Sequence, residues 1–249
     1  MDDEYGPATY GDRIAEVYDE IYREVPFSGD PAATVAFLRS VAGTGPALEL
    51  GVGTGRIALR LVAEGVDVHG IDASEAMVEK LRAKPGGDGV AVTVGDFARF
   101  SLEPRFGLIY VVFNTFFGLL TQDDQVACFK AVADHLADDG AFVLEAFIPD
   151  QSRFDRGQRV SAIDVGTDRI ALEVSRYDRV EQTIQSQYVV VRENGVRLYP
   201  IRIRYAPPAE LDLMARLAGL RLRERWADWD RSPLGASSTK HVSVWELAR

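Results

Sequence analysis

The chain is poor in the residues that build covalent frameworks and metal centres. Its 249 residues include one cysteine and three histidines. Cys128 has no partner for an intrachain disulfide and lies within a helical pattern with nothing nearby to activate its thiol, so it reads as a half-buried helix residue of a cytoplasmic protein. His69, His135 and His241 stand dozens of residues apart on different elements, so no metal is expected. No apolar stretch approaches the roughly 20 residues of a membrane span. The acidic opening Met1-Asp2-Asp3-Glu4-Tyr5 lacks the apolar region of a secretory signal. Positive charge is short as well. The net charge of −10 argues against nucleic acid or an anionic membrane as partner. The deficit is uneven: residues 1–150 hold 11 Lys and Arg against 25 Asp and Glu, and residues 151–249 hold 17 against 13. The bland reading is a solvated acidic surface beside arginine-rich strands. The functional one is that the later arginines help to hold an acidic substrate.

What the chain does have is a dense glycine turn. Ala47-Leu48-Glu49-Leu50 is a short apolar strand that runs into Gly51, Gly53 and Gly55, and Ile57-Ala58-Leu59-Arg60-Leu61 then begins a helix. Glycines this close permit positive φ and let a ligand touch the main chain. The following helix aims its free N–H groups and the positive end of its dipole at the same spot. A ligand with polar or anionic groups is expected there. The spacing is not the G-x-G-x-x-G of a dinucleotide fold, because Arg56 stands where that pattern needs its third glycine, and no Gly-Lys-Ser/Thr follows. A dehydrogenase is therefore disfavoured.

The stretch resembles the Glu/Asp-x-Gly-x-Gly-x-Gly signature of class I S-adenosylmethionine-dependent methyltransferases. The resemblance implies that the turn approaches the amino-acid portion of S-adenosylmethionine, with S-adenosylhomocysteine as product, and that Glu49 contacts the ammonium end directly or through water. Further signals follow in order. Strand 66–71 ends at Asp72, where an acidic residue can accept both hydroxyls of a ribose in dinucleotide and methyltransferase folds alike. Ala73 follows, Ser74 caps a helix, and the resemblance gives Met77 an apolar contact to adenine. Strand 90–95 ends at Asp96-Phe97, a pair similar to the family's carboxylate for the adenine amino group and its apolar neighbour. Strand 108–113 ends at Asn114, where the family brings methyl donor and acceptor together. A helix over 122–137 and a strand over 140–147, entered through an Asp138-Asp139-Gly140 turn, complete this part.

These alternating elements imply an α/β, doubly wound, Rossmann-like seven-stranded sheet whose last strand is antiparallel. Residues 1–45 form an N-terminal helical lid, with one helix over 10–22 and another from Pro31. Residues 46–149 and 207–249 form the methyltransferase core. Between them, residues 150–206 alternate apolar with polar over four strands, and Asn194-Gly195 marks a hairpin. They read as an antiparallel β cap on the substrate side, a surface through which a homodimer could also form. The sheet closes with strands 221–226 and 241–247, which brings Lys240 and His241 to the rim of the site.

Displacement at a methylated sulfonium needs alignment and a dry pocket, and a base only where the acceptor must lose a proton. His241 and Glu145 are the candidate bases. Tyr10 and Phe117 are candidate substrate contacts, and Tyr18 is placed over the cofactor, because similar methyltransferases close a Tyr-Asp-x-x-Tyr segment over it. The cap and total length are similar to those of glycine and sarcosine N-methyltransferases and of the enzymes that dimethylate nucleotide-linked amino sugars. The latter carry a histidine shortly after the fourth strand, where this chain has Gly118 within Phe116-Phe117-Gly118-Leu119-Leu120. The expected function is N- or O-methylation of a small-molecule metabolite. The rival is an S-adenosylmethionine-binding protein without transferase activity, which would have a closed acceptor pocket.

Overall fold

The computed structural model describes residues 5–24 and 30–248, with the side chains of 22–24 excepted. The acidic opening at residues 1–4 lies outside them. The chain forms α1 (Thr9–Ile14), α2 (Tyr18–Glu24), α3 (Pro31–Val41), β1 (Ala47–Leu50), α4 (Ala58–Ala63), β2 (Val68–Asp72), α5 (Glu75–Arg82), β3 (Ala91–Val94), β4 (Phe106–Val111), α6 (Gln122–His135) and β5 (Leu136–Phe147). It continues through β6 (Gln158–Val165), β7 (Arg169–Asp178), β8 (Thr183–Arg192), β9 (Gly195–Arg204), α7 (Pro208–Leu217), β10 (Leu220–Trp226) and β11 (Lys240–Leu247). No helix among the described residues is long and apolar enough to cross a membrane.

Seven strands form one sheet in the order β10-β11-β5-β4-β1-β2-β3, with β11 antiparallel to both neighbours. The central strands are apolar on both faces because helices cover both. Ile109, Val111, Phe142 and Leu144 pack with Phe129 and Val132 of α6 and Leu211 and Met214 of α7. Leu108, Tyr110 and Val143 pack with Leu38 and Val41 of α3 and Leu61 of α4. The helices start where side chains satisfy their free N–H groups: the Asp30 carboxylate accepts from Ala32 N, Ser74 Oγ from Met77 N and Thr121 Oγ1 from Asp124 N. Strand order reverses between β1 and β4, and a ligand crevice belongs at the carboxyl ends of such a pair.

Three local expectations change. The first helix is two helices, α1 and α2, broken at residues 15–17 where Val17 N donates to Ile14 O. The break lets Ile14, Tyr10, Tyr18 and Ile21 all reach one cluster with Met77 of α5 and Tyr188 and Tyr199 of the cap. The helix expected over 122–137 stops at His135, whose Nδ1 pairs with Ala131 O at 2.6 Å while Nε2 accepts from Leu102 N. The Asp138-Asp139-Gly140 segment lies inside β5 instead of forming a turn. The β4 pairing jumps there from Phe106↔Leu136 to Leu108↔Ala141, and the Asp139 carboxylate accepts from Thr44 N.

Strands β6-β7-β8-β9 form a separate antiparallel sheet. Its inward face is mixed, with Ile184, Ile201 and Ile203 beside polar groups, and its outward face carries exposed valines and Leu198. Ser161, Glu173, Ser175 and Ser186 line the cleft beneath it, whereas Val160, at 68 % exposure, and Val165, Val196 and Leu198 stand on the outside. The lid ties this sheet to the core: Asp12 accepts from Ser74 Oγ at 2.6 Å, Asp19 pairs with Lys84 at 2.6 Å, and Glu20 pairs with Arg192 of β8 at 3.2 Å.

Candidate active site

The three glycines of the turn do three different things. All have positive φ, at 73°, 54° and 79° for Gly51, Gly53 and Gly55. A Cβ on Gly51 would run into Thr115 Cγ2, from the segment after β4, so this glycine lets the two sides of the switch point close on each other. A Cβ on Gly55 would press on Leu59 and Leu81 at 3.0 Å, so that glycine serves packing beneath the turn. At Gly53 the nearest such neighbour is the Gly51 carbonyl oxygen at 4.0 Å. Gly51 and Gly53 line the cleft, and Gly55 does not.

The cleft encloses about 780 Å³ between the carboxyl ends of the core strands and the cap. Its core half contains Asp72, Ala73, Met77, Asp96, Phe97 and Asn114, with Tyr10 and Tyr18 of the lid above. Asp72 Oδ2 accepts from Gly53 N at 2.7 Å and Oδ1 from Ser74 N at 2.9 Å, and burial raises its pKa. Asp96 Oδ1 accepts from Ala98 N, which holds that carboxylate at the end of β3. The acidic ends of β2 and β3 thus flank the glycine turn, as strand ends beside a switch point must.

Glu49 does not reach this space. It is buried under the turn, where Oε2 accepts from Ala58 N at the start of α4 and from the Tyr110 hydroxyl at 2.9 Å. Burial pushes its pKa up to about 8. The side chain of a strand residue two before the turn points to the helix-covered face, so Glu49 caps α4 instead of facing the cleft.

Phe117, Glu145 and His241 are displaced from their expected roles for the same kind of reason. Phe117 is fully buried and packs edge-on against Phe147, while its neighbours Gly118, Leu119 and Leu120 line the cleft. Glu145, 6 % exposed, points into the core face of β5. Its Oε2 accepts from Phe113 N at 3.1 Å, and its Oε1 faces Lys240 Nζ at 3.4 Å. His241 is 0 % exposed on the opposite face of β11, with Nδ1 against Ser243 Oγ at 2.8 Å and no hydrogen-bond partner for Nε2. Burial, with help from the Arg225 charge, pushes its pKa down to about 3. Its neighbour Lys240 is the residue that turns toward Glu145, so a one-residue change of strand face removes His241 from the rim. Among the described residues no histidine lines the cleft, and no group of three His, Cys, Asp or Glu side chains is arranged to hold a metal ion.

The cap half of the cleft was not visible in the motifs. Tyr205 donates to the Tyr177 hydroxyl at 2.5 Å, and Phe154, Tyr177 and Tyr205 stack as a slab with centroids 5.0 Å and 5.5 Å apart. Burial and the neighbouring phenol raise the Tyr205 pKa. Across from it, Ser175 and Ser186 share a hydrogen bond at 2.9 Å, and Ser186 Oγ donates to Glu173 Oε1 at 3.3 Å. Arg159 of β6 lines the same wall. Alternation in β6 to β9 marks two faces but not which is inward, and the inward one sets Ser161, Glu173, Ser175 and Ser186 beside Ile184, Ile201 and Ile203.

Comparisons with known proteins agree with this geometry. A methyltransferase domain family matches residues 47–140. The CcbJ methyltransferase of Streptomyces caelestis is 42 % identical, with a TM-score of 0.92 over 98 % of this chain and 100 % of that one. The cypemycin N-terminal methyltransferase of a Streptomyces species is 28 % identical over 96 % of this chain and 98 % of its own length. The sugar N-methyltransferase KedS8 of Streptoalloteichus shares the fold, at 21 % identity and a TM-score of 0.69 over 100 % of this chain and 97 % of its own. The open cleft, its flanking carboxylates and a full-length relative at this identity lead to one conclusion: the chain belongs to the class I S-adenosylmethionine-dependent methyltransferases.

Proposed function

We propose that the protein methylates an amine nitrogen of a small metabolite in a biosynthetic pathway. The observation that carries this reading is the cluster of polar groups on the inner face of the cap. A carboxylate, Glu173, backed by the Ser186 hydroxyl, faces the cleft together with the phenols of Tyr177 and Tyr205, and no histidine among the described residues does. The names of two relatives, the cypemycin N-terminal methyltransferase and the sugar N-methyltransferase KedS8, point to nitrogen.

The residues present fit S-adenosylmethionine. Above Gly53 the space is open, which leaves room for an amino-acid portion against the turn. Asp72 would accept from ribose hydroxyls and Asp96 from the adenine amino group, with Ala73, Met77 and Phe97 beside the ring, Asn114 at the junction with the acceptor, and Tyr10 and Tyr18 closing from above. When bound, the cofactor supplies a methyl group on a positively charged sulfur, an electrophile that needs no further activation. The chain's own work is alignment and exclusion of water. A protonated amine entering under the cap meets the Glu173 carboxylate, which orients it and takes up its proton, while Ser186 steadies Oε1. The slab of Phe154, Tyr177 and Tyr205 covers the apolar face of the acceptor.

The test is incubation with S-adenosylmethionine and matched pairs of acceptors. A nucleotide-linked amino sugar, a secondary cyclic amine and a short peptide with a free N-terminus are each set against a hydroxyl analogue. S-adenosylhomocysteine release and product mass are read together. Methylation of the amines is expected. Methylation of hydroxyl analogues alone would overturn the nitrogen reading.

A further inference from the structure

Two adjacent residues at the end of β4, Phe113 and Asn114, have φ of 57° and 61°. Left-handed backbone is uncommon for any residue but glycine, and for a bulky aromatic it is an outlier. At Phe113 such a backbone is strained and persists only where its surroundings hold it. Here the restraints are explicit. Phe113 N donates to Glu145 Oε2 at 3.1 Å, Asn114 N donates to Glu145 O at 3.3 Å, and Phe147 N donates to Asn114 Oδ1 at 2.7 Å. The other Glu145 oxygen faces Lys240, which pairs with Asp228 at 2.7 Å. Burial works against the Lys240 ammonium, yet Asp228 and Glu145 outweigh it and raise its pKa. On the other side, the Arg56 guanidinium, one residue past the glycine turn, lies 3.3 Å from the centroid of the Phe113 ring. Phe113, Asn114 and Thr115 all line the cleft, and Glu145 does not.

We infer that Glu145 is a positioning residue that acts from outside the cleft. Through the Phe113 amide it holds the left-handed corner against which the donor turn closes, so that Thr115 abuts Gly51 and Arg56 rests on Phe113. An unsatisfied Phe113 N–H and the strain at Phe113 both favour release of the corner once the carboxylate is gone. The loop after β10 is part of the same support, because Asp228 anchors Lys240. The inference rests on the cofactor half of the reading above and is independent of the acceptor.

The test uses the full chain and S-adenosylhomocysteine as the probe, with its Kd read by calorimetry beside the melting temperature. Wild-type binding is measured first, and its absence would sink the cofactor reading instead of this inference. Glu145→Leu is expected to weaken binding at least fivefold. Glu145→Gln, which keeps an oxygen for the Phe113 amide, is expected to stay within threefold of wild type. In a Phe113→Gly background, where positive φ carries no strain, Glu145→Leu should cost less than threefold. A melting point lowered by Glu145→Leu with affinity changed less than fivefold would mean a merely structural residue. A loss in Glu145→Gln as large as in Glu145→Leu, or a full loss persisting with glycine at 113, would equally overturn the inference. If Glu145→Leu does not fold, the Glu145→Gln and glycine-background measurements decide it.

Discussion

Arg204 at the end of β9 donates from Nη2 to Glu210 Oε1 of α7 at 2.7 Å, with 7 % and 16 % of the two side chains exposed. The pair lies where the last cap strand hands over to the core. Gln125 and Gln182 accept from the same guanidinium at 2.6 Å and 3.1 Å, and Gln122 and Gln182 donate to the Glu210 carboxylate. Removing one partner of such a pair strands the other charge. Arg204→Met should therefore destabilise the fold by about 3 kcal/mol in urea unfolding, and adding Glu210→Leu should recover part of that loss.

His241 gives the stability a slope in acid. Its pKa lies near 3 in the fold and near 6.5 when unfolded, so the unfolded chain takes up the proton first. Stability from this site is complete above pH 6.5 and falls as pH drops from there toward 3. His241→Gln should flatten that part of the melting-temperature profile while leaving S-adenosylhomocysteine affinity and turnover at neutral pH within twofold.

Glu49 works in the opposite direction. Burial raises it to about 8 from an unfolded value near 4.5, so its contribution is full below pH 4.5 and is lost as pH rises through 8. Glu49→Gln should raise the melting temperature at pH 8 relative to wild type and leave it unchanged at pH 4.5. A fall at both pH values would show that the carboxylate cap on Ala58 N outweighs the burial of charge.

Asp72→Ala should weaken S-adenosylhomocysteine binding tenfold or more, about 1.4 kcal/mol, by calorimetry. The change removes both a carboxylate facing the cleft and the acceptor that holds Gly53 N.

Gly118 lines the cleft with no atom within 4 Å of where its Cβ would be, and its φ is not left-handed. Gly118→Phe should fill that space, raise the acceptor KM at least tenfold and leave S-adenosylhomocysteine affinity within twofold. The position is open where the similar amino-sugar enzymes carry a histidine, so the substitution reads how much acceptor volume the glycine provides.

The sheet was legible because alternation, glycine punctuation and caps such as Ser74 and Thr121 are local signals that the packed core does not contradict. The ends of β2 and β3 were legible too, since a strand end has one position relative to its neighbours. Phe117 immediately precedes the cleft-lining Gly118, Glu49 and Glu145 stand two residues before the cleft-lining Gly51 and Phe147, and no residue of β11 lines the cleft. Spacing along the chain resolved the strand ends but not the face. The cap adds a deeper difficulty. Val160 and Leu198 face out while Ser175 and Ser186 face in beside Ile184, Ile201 and Ile203, so residue type along these strands does not mark the inner face.

Besides its apolar cluster with Met77, Tyr188 and Tyr199, the lid touches the core and the cap through carboxylates. Asp19 meets Lys84, Glu16 meets Lys80 at 2.9 Å, and Glu20 meets Arg192. Such part-exposed pairs weaken as the Debye length shrinks, from about 10 Å at 0.1 M salt to 3 Å at 1 M. The glycine turn, held by backbone and burial, has no such sensitivity. Ionic strength therefore acts on the lid more than on the turn, and part of how firmly the lid is seated becomes a property of the surrounding electrolyte.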